Sequence, residues 1–203
     1  MVQRELLASE TGSYTIEVIL ALPADGPSSF HGGGGGLIGE YFSNAFLSEP
    51  SMLTRVDTEV AFDWLGGAGG FKGGQGFPVT PTKRDGVSAR WTGFLKAPIG
   101  EAYTFTLEAN DGARLYIDGK LVVAAENGGT TTSTRAARSG TVAFEAGVLY
   151  RLRVEMQDRS GRAAVHLYWQ SDRTPRQLVP SFFLYPSGEH ISGSPFPLKV
   201  FAT

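Results

Sequence analysis

Asn110-Asp111 sets two oxygen-bearing side chains next to each other on a loop tip, just ahead of Gly112. Oxygen ligation is the chemistry such a pair offers. A plain turn is the other reading, because Asn, Asp and Gly are the residue types that tolerate tight backbone corners. A second polar corner, Gln157-Asp158-Arg159-Ser160-Gly161-Arg162, carries a further carboxylate with Arg and Ser side chains beside it. Other chemistries are poorly served. His31, His166 and His190 are scattered, no HExxH is present, and a zinc site would lack cysteine partners. No GxSxG appears. Gly34, Gly36 and Gly39 do satisfy GxGxxG, but an aromatic strand follows where the dinucleotide motif needs a helix. The glycine-rich segment 66–76 lacks the Gly-Lys-Ser/Thr ending of a phosphate-binding loop. The expectation is a chain that is not an enzyme.

The elements that must position these corners are strands. Phe105, Leu107 and Ala109 alternate with Thr106 and Glu108, the period of a half-buried strand. After the Asn110-Asp111-Gly112 corner, Leu115 and Ile117 share one face, and Arg114 and Tyr116 the other. Asp118-Gly119 is a two-residue hairpin signal, because a type I′ turn needs positive φ at both central positions. Tyr150, Leu152, Val154 and Met156 face one way on a later strand, with Arg151, Arg153 and Glu155 facing the other. Ala163, Val165, Leu167 and Trp169 alternate on the strand beyond the second corner. Further strands are read at 14–20, 36–42, 60–64, 87–93 and 198–201. Residues 127–139 carry Gly, Ser, Thr and Arg without periodicity and read as a loop. Many short strands with turn signals between them favour an all-β, antiparallel β-sandwich.

Composition narrows the partners. The chain has 203 residues, a net charge of −2 and a sequence pI near 5.9, which argues against nucleic acid, whose binders normally leave a basic footprint. Cysteine is absent, so no disulfide holds the fold. No apolar h-region opens the chain and no apolar run approaches membrane-spanning length, so neither a signal peptide nor membrane insertion is read. Glycine is the outlier at 27 residues, and the run 32–36 reads as a flexible hinge and a domain boundary.

The segment from about 36 to 186 resembles the protective-antigen domain family (PA-fourteen). The resemblance rests on Gly36-Leu37-Ile38-Gly39-Glu40-Tyr41-Phe42, Arg90-Trp91-Thr92-Gly93-Phe94, Gly100-Glu101-Ala102-Tyr103-Thr104-Phe105, Asn110 through Gly119, Gly147-Val148-Leu149-Tyr150 and Ala164-Val165-His166-Leu167-Tyr168-Trp169. It implies a β-sandwich, here assigned to 32–186. The flanks, 1–31 and 187–203, hold Gly12-Ser13-Tyr14-Thr15-Ile16-Glu17-Val18 and His190 through Val200, which are similar to the last two strands of a filamin-type immunoglobulin-like repeat. They are expected to form a short two-stranded stem into which the sandwich is inserted, and insertion at loop tips is well tolerated.

In sugar-binding members of the resembled family, two adjacent Asp residues joined by a cis peptide bond hold one Ca²⁺, which in turn chelates two sugar hydroxyls. Carried over, this implies Asn110 and Asp111 as metal ligands, with Asp158 as a further ligand from the second corner. Ca²⁺ takes six to eight oxygens. Asn110 departs from the pattern, offering a neutral carbonyl oxygen where the family has a carboxylate, and the lost charge weakens the site. Arg159, Ser160, Gly161 and Arg162 are expected to contact a bound glycan, with Trp64 either stacking on a sugar or stapling the neighbouring loop. The function implied is calcium-dependent carbohydrate binding, a lectin-like adhesion module of a surface or extracellular protein. Its partners would be glycans or glycoproteins, alongside neighbouring repeat domains. A structural or protein-interaction spacer without a sugar site is the alternative, and an accessory domain of a glycosidase is a third.

Overall fold

The computed structural model describes residues 34–64, 77–79, 86–126, 136–159 and 163–186. The expected stem strands at 14–20 and 198–201, the loop 66–76 and the corner residues Ser160, Gly161 and Arg162 lie outside the described residues.

Alternation becomes strand almost throughout. The strands are β1 (Leu37–Phe42), β2 (Leu53–Asp57), β3 (Ala61–Trp64), β4 (Val87–Lys96), β5 (Ala102–Ala109), β6 (Gly112–Ile117) and β7 (Lys120–Glu126). After these come β8 (Ala136–Ala143), β9 (Leu149–Asp158), β10 (Ala163–Gln170), β11 (Gln177–Leu178) and β12 (Leu184–Pro186), with a 3₁₀ turn at Ser181–Phe183. All pairings are antiparallel. One sheet runs β2-β1-β4-β9-β6-β7, with β12 beside β4; the other runs β11-β10-β5-β8, with β3 beside β10.

Two departures from the sequence reading have one cause. Ala136–Ser139, expected to be loop, opens β8, whose residues are mostly exposed because it is an edge strand. The edge strand β2 likewise exposes three consecutive residues, Thr54, Arg55 and Val56. An edge strand need not alternate, since much of its surface meets water. The Asp118-Gly119 turn forms as expected, with φ of 47° and 77°.

The inward residues of both sheets make one core. Trp91, Tyr103, Phe105 and Trp169 are fully buried in it, as their strand positions require. Tyr150, expected in the same set, is half-buried and packs edge-on against Phe144 at 4.6 Å. Aromatic rings gather at both ends. Tyr41, Phe62, Trp64, Phe77 and Trp91 pack together at one, with Phe62 stacked on Trp64 at 4.9 Å and on Trp91 at 5.4 Å. Tyr103 stacks on Trp169 at 4.8 Å in the other group. Such pairs add about 0.5–1.5 kcal/mol each beyond the area they bury. Among the described residues, no helix is long and apolar enough to cross a membrane.

Candidate functional site

The Asn110-Asp111 corner is where the chain passes from one sheet to the other. β5 belongs to the five-stranded sheet and pairs with β10, Ala109 opposite Val165. Asn110 continues that ladder, its N–H donating to the Ala164 carbonyl at 3.3 Å. β6 belongs to the other sheet and pairs with β9, Gly112 opposite Gln157. Asp111 precedes Gly112 and Asp158 follows Gln157, so both lie where that ladder ends. The Arg159 N–H confirms the closeness, donating to Asp111 Oδ2 at 2.6 Å. Two sheet registers, set by residues more than forty positions apart, therefore bring Asn110, Asp111, Asp158 and Arg159 to one corner.

All three oxygen-bearing side chains there are buried, at 7, 5 and 5% exposure for Asn110, Asp111 and Asp158. Burying carboxylates is costly unless they are paired, hydrogen-bonded or bound to metal. The donor set is two carboxylates and one amide oxygen, all hard ligands of the kind Ca²⁺ takes. On that chemistry the corner fits the ion. Among the described residues there is no cluster of three or more His, Cys, Asp or Glu of the kind that could hold a metal, so a site here needs Asn110 in its ligand set. The Asn110–Asp111 peptide is trans, unlike the cis bond implied by the resemblance; Glu49–Pro50 is the cis bond among the described residues.

Beside the corner, a pocket of about 80 Å³ opens on the outer face of the larger sheet, lined by Asp111, Gly112, Arg114, Glu126, Glu155, Gln157 and Arg159. Its walls belong to a row of alternating charge across four strands. Glu40 lies opposite Arg90, Arg90 opposite Glu155, and Glu155 opposite Arg114. Arg114 closes the row on Glu126, Nε to Oε1 at 3.0 Å, and that hydrogen bond raises its pKa above the ordinary value. Arg153 pairs with Glu155 at 3.3 Å and lies over the Tyr116 ring at 4.1 Å. Sequence reading missed Glu126, Glu155 and Gln157 as site residues. The alternation sets Arg114 and Glu155 on the faces opposite the apolar ones, but nothing local to either strand says that the two strands are neighbours.

Trp64 is a correction. It pairs with Ala163, next to the second corner, yet its side chain is only 5% exposed and stacks within the core. It is one of the aromatics closing that end of the sandwich, so no ring face is presented to a sugar. Across the core from it lies another buried carboxylate. Asp57 Oδ2 accepts from the Trp91 Nε1–H at 2.9 Å and from the Tyr41 hydroxyl, and Oδ1 accepts from Arg55 Nε at 2.7 Å. Gly39 makes room for this group: a Cβ there would lie 2.3 Å from Asp57 Oδ2.

A family model described as the PA14 domain matches residues 34–181. Among curated proteins, the chain is similar to the anti-sigma-I factor RsgI3 of Acetivibrio thermocellus, 32% identical over 157 residues that cover 77% of this chain and 22% of that protein. The chain thus spans about a fifth of that relative's length. Among solved structures, it is similar to an anti-sigma factor domain-containing protein from Clostridium clariflavum, with 33% identity, a TM-score of 0.62, and coverage of 75% of this chain and 47% of that one. It shares its fold with a PA14 sugar-binding domain from an RTX adhesin, at 18% identity and a TM-score of 0.59, covering 75% of this chain and 99% of that domain. With a model match over well more than half its length, the chain belongs to the PA14 domain family.

Proposed function

We propose that this domain is a calcium-dependent carbohydrate-binding module acting at a cell surface or outside the cell, and that it does no catalysis. The observation that carries the reading is the convergence of Asn110, Asp111 and Asp158 at one buried corner beside a polar pocket. Asn110, Asp111 and Asp158 would hold the ion. When bound, it supplies a point at which neighbouring sugar hydroxyls are chelated. The fold shared with a sugar-binding adhesin domain supports the same reading. Arg159 is exposed at the rim and reaches the pocket wall, which suits contact with a ligand.

The similarity to anti-sigma factors bears on what binding is for. In a longer regulatory protein, a sugar-binding module would report the presence of polysaccharide outside the cell, so sensing replaces adhesion while the site's chemistry is unchanged. The ends of the described chain suit either setting. Gly34 N–H donates to Phe182 O at 2.9 Å and Gly35 N–H to Leu184 O at 2.9 Å, so residues 34–35 and 182–184, near the two ends of the described chain, lie side by side. That is the geometry required of a domain inserted into a hairpin of a host repeat. A glycan array read with and without EDTA, on the wild type and on Asp111→Ala, tests the reading. Binding lost on chelation and lost in the variant is expected. Glycan binding that survives both treatments would sink the calcium bridge.

A further inference from the structure

The described strands contain four glycines, Gly39, Gly93, Gly112 and Gly140. Three are forced by crowding: a Cβ would lie 2.3 Å from Asp57 Oδ2 at Gly39, 2.2 Å from Tyr185 O at Gly93 and 2.2 Å from Val122 O at Gly140. Gly112 has no such reason. Its backbone is not in the left-handed region, and a Cβ there would meet nothing nearer than Gln157 O at 3.9 Å. Glycine in a strand is unfavourable, because it loses more freedom on folding and packs nothing. What the missing side chain does leave is space, since Gly112 lies in the wall of the pocket next to Asp111.

We infer that this pocket is the specificity subsite of the module, and that it seats the hydroxyl-bearing edge of a neutral sugar over Gly112. The inference rests on the carbohydrate-binding reading above and names the ligand class for it. Charge selects that class. Asp111, Glu126 and Glu155 face Arg114 and Arg159, a lining one negative charge in excess, and Arg114 is already held by Glu126. With the ion bound, its charge balances Asp111 and Asp158 while Arg114 and Arg159 balance Glu126 and Glu155, so the site carries no net charge and gives a carboxylated or phosphorylated sugar no net attraction. Neutral hydroxyls, which both donate and accept, match alternating carboxylates, a side-chain amide and guanidinium groups. Charged partners also make the stronger hydrogen bonds, and they leave a heavy penalty when a ligand lacks the matching group.

The experiment places Gly112→Ala and Gly112→Val beside the wild type. Each is titrated in calcium chloride with neutral oligosaccharides and with their uronic-acid counterparts, and each is melted with and without calcium. Both variants are expected to melt at or above the wild-type temperature and to keep the calcium-induced rise, because the added carbons enter open space. Neutral-sugar affinity is expected to fall about tenfold or more in Gly112→Val, and less in Gly112→Ala. If Gly112→Val fails to fold, Gly112→Ala alone decides. A folded variant that binds as tightly as the wild type overturns the subsite and leaves the calcium corner standing. A wild type that prefers uronic acids overturns the ligand class. A wild type that binds no glycan in calcium removes the functional reading, and this inference with it.

Discussion

Two buried carboxylate sites sit at the same depth in this sandwich and differ in whether space is left beside them. Asp57 is enclosed by donors. Tyr41 of β1, Trp91 of β4 and Arg55 of its own strand point at its two oxygens, the Arg55 guanidinium also lies 4.9 Å from the Tyr41 ring, and Gly39 is emptied to admit it. Asp111 and Asp158 are as buried, but they stand where two sheets part, and Asp111 borders a pocket whose floor is a glycine that packing does not require. The comparison teaches how to separate a structural carboxylate from a functional one. Burial does not distinguish them; what matters is whether the surrounding chain closes on the charge or leaves room beside it.

Removing the structural one should do the most damage. Asp57→Ala leaves the Trp91 and Tyr41 donors buried without their acceptor, and chemical denaturation is expected to show a loss of about 3 kcal/mol. A loss below about 1 kcal/mol would mean that the enclosure is not what holds this side of the sandwich together. The functional site should respond in the opposite manner. At calcium near a hundred times Kd, the wild type is expected to gain about 2.7 kcal/mol. Asp111→Ala should gain nothing, while losing about 1 kcal/mol or more in the absence of the ion, since the Arg159 N–H loses its acceptor. Equal calcium shifts in the two proteins would erase the contrast between the carboxylates.

The Asp57 enclosure also has a pH signature. Burial raises the Tyr41 pKa, and the hydrogen bond to Asp57 and its charge raise it further. The folded state therefore holds the Tyr41 proton more tightly than the unfolded chain. The stability this contributes is complete below the unfolded tyrosine value of about 10, and is lost progressively as pH rises above it. Tyr41→Phe is expected to cost about 1 kcal/mol at neutral pH through the lost hydrogen bond, and to flatten the alkaline decline. A variant with the same alkaline slope as the wild type would place that titration elsewhere.

What the sequence disclosed follows the range over which each feature is encoded. The Asp118-Gly119 turn is local, set by two adjacent residues, and forms as read. Strand faces follow a period of two residues, so Leu115 and Ile117 lie inward, and Arg114 and Glu155 outward. Register is not local. Nothing in Gly112 or Gln157 says that they face each other, and a slip of one residue would reverse every face. The pocket is a product of that register and was illegible, while the Asn110-Asp111 half of the corner was legible because its residues are adjacent. The Asp57 enclosure was invisible for the same reason: Tyr41 and Trp91, the donors that close it, stand 16 and 34 positions away. Trp64 misled because it adjoins a glycine-rich segment in sequence, while its ring belongs to the core.

The smallest expected effect sharpens the rule about enclosure from the other side. Tyr103 is fully buried and stacked on Trp169, and its hydroxyl has no hydrogen-bond partner among the described residues. If a buried polar group contributes only through the partners that close on it, this oxygen contributes nothing and its desolvation is a pure cost. Tyr103→Phe keeps the ring and removes the oxygen, so it should leave stability unchanged or raise it by up to about 1 kcal/mol. That sign is the reverse of the one expected at Tyr41, where the same substitution removes a donor to Asp57. Denaturation of the two variants side by side reads the difference directly. Equal losses at both positions would show that the ring environment, not hydrogen-bond closure, sets the value of a buried hydroxyl in this core.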